Sequence, residues 1–263
     1  MKKFLNYIER RILKYIYNYY ENKLLEIVKK GNMPEHVGLI LDGNRRWAIE
    51  LGLSPEKGHE FGFEKAKEVL KWCWDLGIKV VTIYVLSTEN LKRDEKELKH
   101  LFWLIKKGLI EILNNPDLEK YKVKIKAIGR LEYLDDDIID LIKKVEEKTK
   151  NYEENRLYIA IAYGGRAEIV DATRKIVDAI IKGDLRKEDI NEDIFSKFLY
   201  TQGDKDPDLI IRTSGEERLS GFLLWQSAYS ELYFMDVYWP EIRKIDLLRA
   251  IRTYQKRTRR FGK

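Results

Sequence analysis

Five short runs of aliphatic and β-branched residues, near 36–41, 79–86, 122–128, 156–162 and 207–212, constrain the fold of this chain more than any other feature. Longer amphipathic stretches at helical spacing separate them, among them 61–76, 95–113, 135–150 and 165–182. Strand-like runs alternating with helical crossovers predict an α/β fold with a mostly parallel central sheet flanked by helices. At 263 residues, with 44% apolar content and no long Gly/Ser or Pro-rich linker, the chain is most economically a single domain with a substantial core. It has no internal repeat.

Chemistry concentrates after the last of these runs. Residues 207–234, PDLIIRTSGEERLSGFLLWQSAYSELYF, carry a buried-strand run (Leu209, Ile210, Ile211) into a short polar loop. Arg212, Thr213, Ser214, Arg218 and Ser220 supply many donors there, and Glu216 and Glu217 are the only acids. That donor set suits a diphosphate better than a carboxylate. A surface loop with solvated arginines is the plainer alternative.

A second segment, HVGLILDGNRRWA, runs from an apolar strand (Val37 to Leu41) into Asp42 and then Gly43-Asn44-Arg45-Arg46, after which AIELG begins a helix. A carboxylate at a strand's C-terminal end, followed by glycine and the amides opening a helix, is how α/β proteins set a metal beside a phosphate. An aspartate there can also be a simple helix cap.

Together with YVLSTENLKR at 84–93, AYGGR at 162–166, IRTSGEERLSGFLLWQ at 211–226 and ELYF at 231–234, this segment resembles the ordered motif set of the cis-prenyltransferases, the family of undecaprenyl and dehydrodolichyl diphosphate synthases. The resemblance runs in order from about residue 34 to RRFG at 259–262. It implies condensation of isopentenyl diphosphate units onto an allylic diphosphate, farnesyl or geranylgeranyl, giving a long-chain polyprenyl diphosphate that serves as precursor of a glycosyl-carrier lipid. It also implies Mg²⁺, and an apolar product tunnel beside the sheet.

Residue by residue, the resemblance makes Asp42 the essential aspartate and a metal ligand. It places the allylic diphosphate on the amides of Gly43, Asn44 and Arg45, with Arg46 and His59 alongside and Trp47 on the same segment. Arg212, Arg218 and Ser220, with Leu219 between them, match the isopentenyl-diphosphate clamp. Glu231 matches a second metal-associated carboxylate, or else a rim charge on an exposed edge. Within Ser87-Thr88-Glu89-Asn90, Asn90 matches a residue assigned to proton abstraction or its positioning, and Arg93 follows on the same loop. An amide is a poor base, a bound diphosphate oxygen competes for that role, and STEN also reads as a helix-starting cap. In two places the chain departs from the pattern. Thirteen residues after Asp42, familiar members carry an arginine where this chain has Pro55, with Lys57 the candidate stand-in; at a position often Trp in bacterial members stands Leu91.

Cys73, between Trp72 and Trp74, is the one cysteine, so no intrachain disulfide or cysteine-rich zinc site is possible and a reducing, cytoplasmic setting fits. It reads as a small buried apolar residue. His36 and His100 read as structural or exposed, with no ligand spacing beside them. Charge sits at the ends of the chain. Residues 1–30 are net +5 and residues 249–263 net +7, so with +6 overall the stretch between is net negative. That distribution argues against a basic nucleic-acid-binding protein.

Residues 1–33 are predicted as an amphipathic helix ahead of a catalytic domain at 34–263. Phe4, Leu5, Ile8, Ile12, Ile16, Tyr19, Tyr20, Leu24, Ile27 and Val28 recur at helical spacing among lysines and arginines. The stretch is too charged to span a membrane or act as a secretory signal, and suits packing on the body, lying on a membrane surface, or both. Three glutamines against 94 charged residues lean towards a thermophile, and an archaeal source would favour geranylgeranyl diphosphate as starter. Because the chain keeps both Asp42 and the arginine clamp, and because Arg260-Phe261-Gly262 resembles a tail that crosses a dimer interface, an active homodimer is expected rather than a non-catalytic accessory subunit.

Overall fold

The computed structural model describes residues 2–257 of the chain, with side chains from Tyr15 onward. In order, the elements are α1 (Lys2–Lys29), β1 (His36–Ile40), α2 (Asn44–Glu50), α3 (Pro55–Asp75), β2 (Val80–Tyr84), α4 (Glu95–Asn114), α5 (Asp117–Tyr121), β3 (Val123–Ile128), α6 (Asp136–Thr149), β4 (Asn155–Ala160), α7 (Gly165–Lys182), α8 (Glu192–Phe198), β5 (Leu209–Arg212), β6 (Glu231–Phe234) and α9 (Lys244–Lys256). All five expected strands form, within three residues of the predicted limits at either end. Four elements were not anticipated: α5, α8, β6 and α9. β6 (ELYF) opens on a glutamate and is only half-buried throughout, so it lacks the aliphatic run that marks β5; α5 and α8 are short, at five and seven residues; and α9 follows a Pro-containing turn at Trp239–Glu241.

Residues 35–241 form one compact unit, and the two ends of the chain, up to Pro34 and from Ile242, form another. In the first, six strands make one sheet in the order β3-β4-β2-β1-β5-β6. Every pair is parallel, so the expected mostly parallel sheet is wholly parallel. His36 pairs with Val80 and Ile40 with Tyr84 on one side of β1, while Ile40 pairs with Arg212 on the other. The chain leaves β1 towards β2 and later returns to β1's other flank as β5. The C-terminal end of β1 is therefore a topological switch point, where neighbouring crossovers diverge and leave a crevice.

Burial follows from the crossovers. All five residues of β1 are buried, because helices cover both faces of a parallel sheet. Cys73 is fully buried on α3 and burial pushes its thiol up to about 12, in keeping with a small apolar role. In the other unit, Leu24 and Val28 of α1 are buried, and Gln255 of α9 donates to the Val28 carbonyl at 2.8 Å. The Arg243 and Arg249 guanidinium groups lie over the Tyr17 and Tyr20 rings at 5.3 and 5.7 Å. Tyr15, Ile16 and Tyr19 of the same helix are exposed.

His36 locks the start of β1. Its Nδ1 lies 2.6 Å from the Lys205 carbonyl and its Nε2 2.8 Å from the Thr82 hydroxyl. A carbonyl can only accept, so Nδ1 carries the proton and Nε2 accepts from Thr82. Asp208 in turn accepts from the amides of Glu35 and His36 at 2.7 and 3.0 Å. Burial, the leading cause, pushes the His36 imidazole down to about 4 from its ordinary 6.5. The unfolded chain thus binds the proton first as pH falls. Stability is expected to be full above pH 6.5 and to fall by about 3 kcal/mol on acidification to pH 4, after which this contribution is flat. Denaturant titrations of wild type and His36→Asn across that range check this: the difference in their pH slopes should lie between pH 6.5 and 4.

Candidate active site

The crevice at the switch point is built on Asp42, two residues beyond the end of β1. Its carboxylate accepts from the Arg212 Nη2 at 2.7 Å and from the Gly43 amide at 2.7 Å, and the Arg46 guanidinium lies 3.5 Å away. The Thr213 hydroxyl accepts from the Asp42 amide at 3.1 Å and donates to the Asp42 carbonyl at 2.7 Å, tying the ends of β1 and β5 together. Gly43 has φ 101°, and a Cβ there would lie 2.6 Å from the Tyr238 ring and 2.8 Å from the Ser214 Cβ. Only glycine fits both the backbone conformation and the space. α2 begins at once behind it.

Arg212 ends β5 with its side chain only 5% exposed. Besides Asp42, its guanidinium bonds the Ser220 hydroxyl at 2.8 Å and the Arg218 carbonyl, while Nε has no protein partner. The loop that follows is strained: Ser214 and Ser220 hold φ 78° and 49°, a region L-residues visit rarely and mostly at functional sites. Leu219 packs against the core. The Arg218 side chain is 62% exposed and pairs with Glu216. Glu216 also meets Arg46 Nη1 at 3.2 Å, and Arg46 bonds the Ser214 hydroxyl.

A third cluster forms where α2, α3 and α4 meet. The Glu97 carboxylate, 14% exposed, lies 2.7 Å from Arg93, 3.2 Å from His59 Nε2 and 3.5 Å from Arg45. Burial lowers the pKa of His59, a shift the Glu97 charge opposes. Asn44 turns inward: its Nδ2 donates to the Leu41 carbonyl at 3.0 Å and its Oδ1 lies against Gly62, where a Cβ would approach within 2.1 Å. Trp47 sits edge-on to Phe61 at 5.0 Å.

The loop after β2 closes the same end of the sheet. The Asn90 amide donates to the Ser87 hydroxyl, and the Ser87 amide to Asn90 Oδ1, each at 3.1 Å. This is the reciprocal cap read in STEN, and it starts a short 3-10 turn, Glu89–Lys92, whereas α4 has its own cap in Asp94. With Oδ1 accepting from the Ser87 amide, the side-chain NH₂ of Asn90 can act only as a donor. Thr88 donates its amide to the Tyr163 carbonyl at 2.9 Å, joining this loop to AYGGR.

Beneath the crevice lies the apolar tunnel, a cavity of about 550 Å³ between the sheet and α3 and α4. Asn44, His59 and Tyr84 line the crevice end, and Val123 and Leu157 lie towards the N-terminal ends of the strands. Ile83, Ile125, Leu157 and Ile159 supply its floor, with Leu104, Ile105 and Leu109 of α4 opposite.

The fold thus brings together Asp42, Gly43, Arg46, Arg212, Ser220 and, around Glu97, Arg45, His59 and Arg93. Glu231 lies elsewhere. It opens β6 in register with Leu209, three residues before the Arg212–Phe234 pair. Asp42 lies two residues past Ile40, so the two are about 16 Å apart along the strand direction in one chain. Lys57 is 55% exposed and pairs with Glu60 at 2.7 Å. His100 stacks on Trp103 at 5.5 Å. Residues 259–263, with the tail motif, lie outside the described residues. Glu97 escaped the sequence reading; its signal there was only an i,i+4 spacing from Arg93, the signature of an ordinary surface pair.

No group of three or more His, Cys, Asp or Glu among the described residues could cage a metal. Mg²⁺ ordinarily uses one or two carboxylates and completes its shell with water and substrate phosphates. Asp42, a partly exposed hard-oxygen donor at the crevice, fits that mode.

The family model described as "Putative undecaprenyl diphosphate synthase" matches residues 40–262. A Methanopyrus kandleri protein named tritrans,polycis-undecaprenyl-diphosphate synthase (geranylgeranyl-diphosphate specific) is 55% identical over 251 residues, 95% of this chain and 93% of its own. A Pyrococcus abyssi protein of the same name is 48% identical, with 98% of each chain covered. The crystal structure of lavandulyl diphosphate synthase from Lavandula x intermedia, in complex with dimethylallyl diphosphate, superposes with TM-score 0.82 at 35% identity, covering 88% of this chain and 99% of that one. With the parallel sheet, the Asp42–Arg212 crevice and the tunnel beneath it, these matches make the chain a member of the undecaprenyl diphosphate synthase family, and so a prenyltransferase.

Proposed function

We propose that this chain condenses isopentenyl diphosphate units onto geranylgeranyl diphosphate to give a long polyprenyl diphosphate of undecaprenyl type, with Mg²⁺ and as a homodimer. The observation that carries the reading is the opening of an apolar tunnel directly under a crevice of converging cations. A diphosphate needs the cations and its growing hydrocarbon tail needs the tunnel. The names of the archaeal relatives support geranylgeranyl over farnesyl as starter.

In this reading the allylic diphosphate takes the amides of Gly43, Asn44 and Arg45 with Arg46 and His59. Isopentenyl diphosphate takes Arg212, Arg218 and Ser220. Asp42 lies between the two groups and would hold Mg²⁺, which when bound offsets the negative charge that builds on the departing diphosphate. Fixed donors aimed at that charge supply the rest, because they need no reorganisation as the bond ionises. Holding the second substrate's double bond against the ionising carbon contributes through proximity. Asn90, whose free hydrogens are donors, positions the incoming unit while a diphosphate oxygen accepts the C2 proton.

Glu231, on the edge strand, is proposed as a metal-associated carboxylate at a position separate from Asp42 of its own chain. The tail at 259–263 is proposed to complete the partner's isopentenyl-diphosphate site. Residues 34–263 would then be the catalytic body. The exposed Tyr15, Ile16 and Tyr19 of α1 would rest on the surface of a cytoplasmic membrane that receives the product. No helix among the described residues is long and apolar enough to cross a membrane.

Three outcomes test this reading. Asp42→Asn keeps a hydrogen-bond partner for the buried Arg212, so the fold should persist while turnover, measured by mass spectrometry of products from geranylgeranyl diphosphate, falls at least about a hundredfold. Arg218→Ala should raise the KM for isopentenyl diphosphate about tenfold and leave the melting temperature unchanged, because its side chain is largely exposed; a rise confined to the allylic substrate would reverse the two sites. Replacing Tyr15, Ile16 and Tyr19 together by serine should weaken sedimentation with anionic liposomes without reducing turnover on soluble short substrates in detergent.

A further inference from the structure

The face of the sheet turned away from the tunnel carries a group of cations that the functional reading leaves unused. Neighbours along a strand point to opposite faces, so with Ile125 and Leu157 on the tunnel floor, Lys124, Lys126, Arg156 and Tyr158 point the other way. Register sets Lys124 beside Arg156 and Lys126 beside Tyr158. Lys175 of α7, its Nζ 5.4 Å from the Tyr200 ring, is close enough to Lys126 for the two charges to repel. The acids nearby already have partners. Asp204 takes Arg156 and the Tyr158 hydroxyl, Asp171 takes Arg130 through two bonds of 2.9 Å, and Glu146 accepts from the Ala127 amide at 2.9 Å. None of Lys124, Lys126 and Lys175 has an ion-pair partner among the described residues.

Lysines on an edge strand usually serve to discourage another strand from pairing there. On β3 that task is already done, because the outward amides of Ile125 and Ala127 donate to Thr149 Oγ1 at 3.1 Å and Glu146 Oε1 at 2.9 Å, both on α6. Lys126 is also partly buried. Burial is the leading cause that lowers its pKa; Glu146 opposes the shift, and Arg156, Lys175 and Lys124 add to it. Gathering like charges where water is scarce is unfavourable, and such breaches of local preference belong where a ligand offsets them. We propose that Lys124, Lys126 and Lys175, with Arg156 beside them, form a binding site for a small multivalent oxyanion of the phosphate class, separate from the catalytic crevice. β3 is the third strand from β1, about 14 Å away across the sheet. Each ammonium is a compact point charge with three donors, and the partial burial of Lys126 suits a small anion better than the backbone of a polymer. Two sources share this chemistry, free inorganic diphosphate and the diphosphate group of a nucleotide. The site does not depend on the prenyl-transfer reading, although inorganic diphosphate is what that reaction would release at every step.

Acetylation of the full chain with N-hydroxysuccinimidyl acetate, read lysine by lysine by mass spectrometry without added Mg²⁺, tests the site. Inorganic diphosphate at about 1 mM should slow labelling of Lys126 about fivefold, and of Lys124 and Lys175 in parallel, the protection that a Kd of about 0.25 mM gives. Lys187, 81% exposed, should label as before. Protection by inorganic diphosphate alone assigns the free anion, and protection at lower concentration by a nucleoside diphosphate assigns the nucleotide-borne group; either supports the site. Lys124→Gln should raise the diphosphate concentration that protects Lys126 about tenfold, with the melting temperature level or higher because a repelling charge is gone. Lys175→Gln, on the exposed side of α7, gives the same comparison should that variant fail to fold. Arg218→Ala, which touches only the crevice, should leave the protection of Lys126 as in wild type. Labelling of Lys126 that neither anion slows, slowing that sodium chloride of equal ionic strength reproduces, or protection that disappears in Arg218→Ala overturns the inference.

Discussion

A guanidinium buried at the end of a central strand cannot stand alone, and the contact between Arg212 and Asp42 is what lets this one exist. Arg212 ends β5 and Asp42 follows β1, so their 2.7 Å bond crosses the switch point and joins two strands that 168 residues of chain separate. The Thr213 hydroxyl, bonded to both the amide and the carbonyl of Asp42, sets the same two strand ends at a fixed distance. Everything else in the crevice is hung from this junction. Gly43 must pass between Tyr238 and Ser214, α2 must start at once, and the loop from 213 to 223 must fold back over Arg212 in left-handed conformations that cost energy locally.

A common pattern links the cations of the site. Arg212 is held by Asp42, Arg46 and Arg218 by Glu216, and Arg45 and Arg93 by Glu97. Each carboxylate keeps its arginines oriented before any anion arrives. In the proposed reading, binding a diphosphate is an exchange of partners for these arginines, with part of their ordering done beforehand, which lowers the entropy lost on association. The acidic residues among the donors hold the arginines of the crevice in place.

The tunnel has a different origin. In a parallel sheet the registers align side chains of like orientation across strands: Ile125 beside Leu157, and Ile83 beside Ile159. One face of β2, β4 and β3 thereby becomes a continuous apolar floor, and α3 and α4 span it without filling it. Gly108 on α4 leaves room for the Phe63 ring, where a Cβ would come within 2.9 Å. A hydrocarbon chain lying there meets mainly aliphatic side chains, with Asn44, His59 and Tyr84 at the crevice end.

Strand and helix periodicity in the sequence determined the α/β class, the five strands β1 to β5 and the main crossovers, since those depend on residues near one another in the chain. The motifs Asp42-Gly43 and Arg212-Thr213-Ser214 were legible as candidates for holding an anion or a cation, and the fold brings them together at the switch point. β6 was not legible, since ELYF is half-buried and opens on a glutamate, and it forms because β5 offers it an edge. Nor was the cluster in which Glu97 meets Arg45, His59 and Arg93, since its sequence neighbours suggest a solvated pair with Arg93, or the separation of Glu231 from Asp42, which follows from strand register alone. Burial, register and the meeting of distant side chains are properties of packing. They depend on which surfaces the crossovers bring together, and that was decided only when the sheet closed in the order β3-β4-β2-β1-β5-β6.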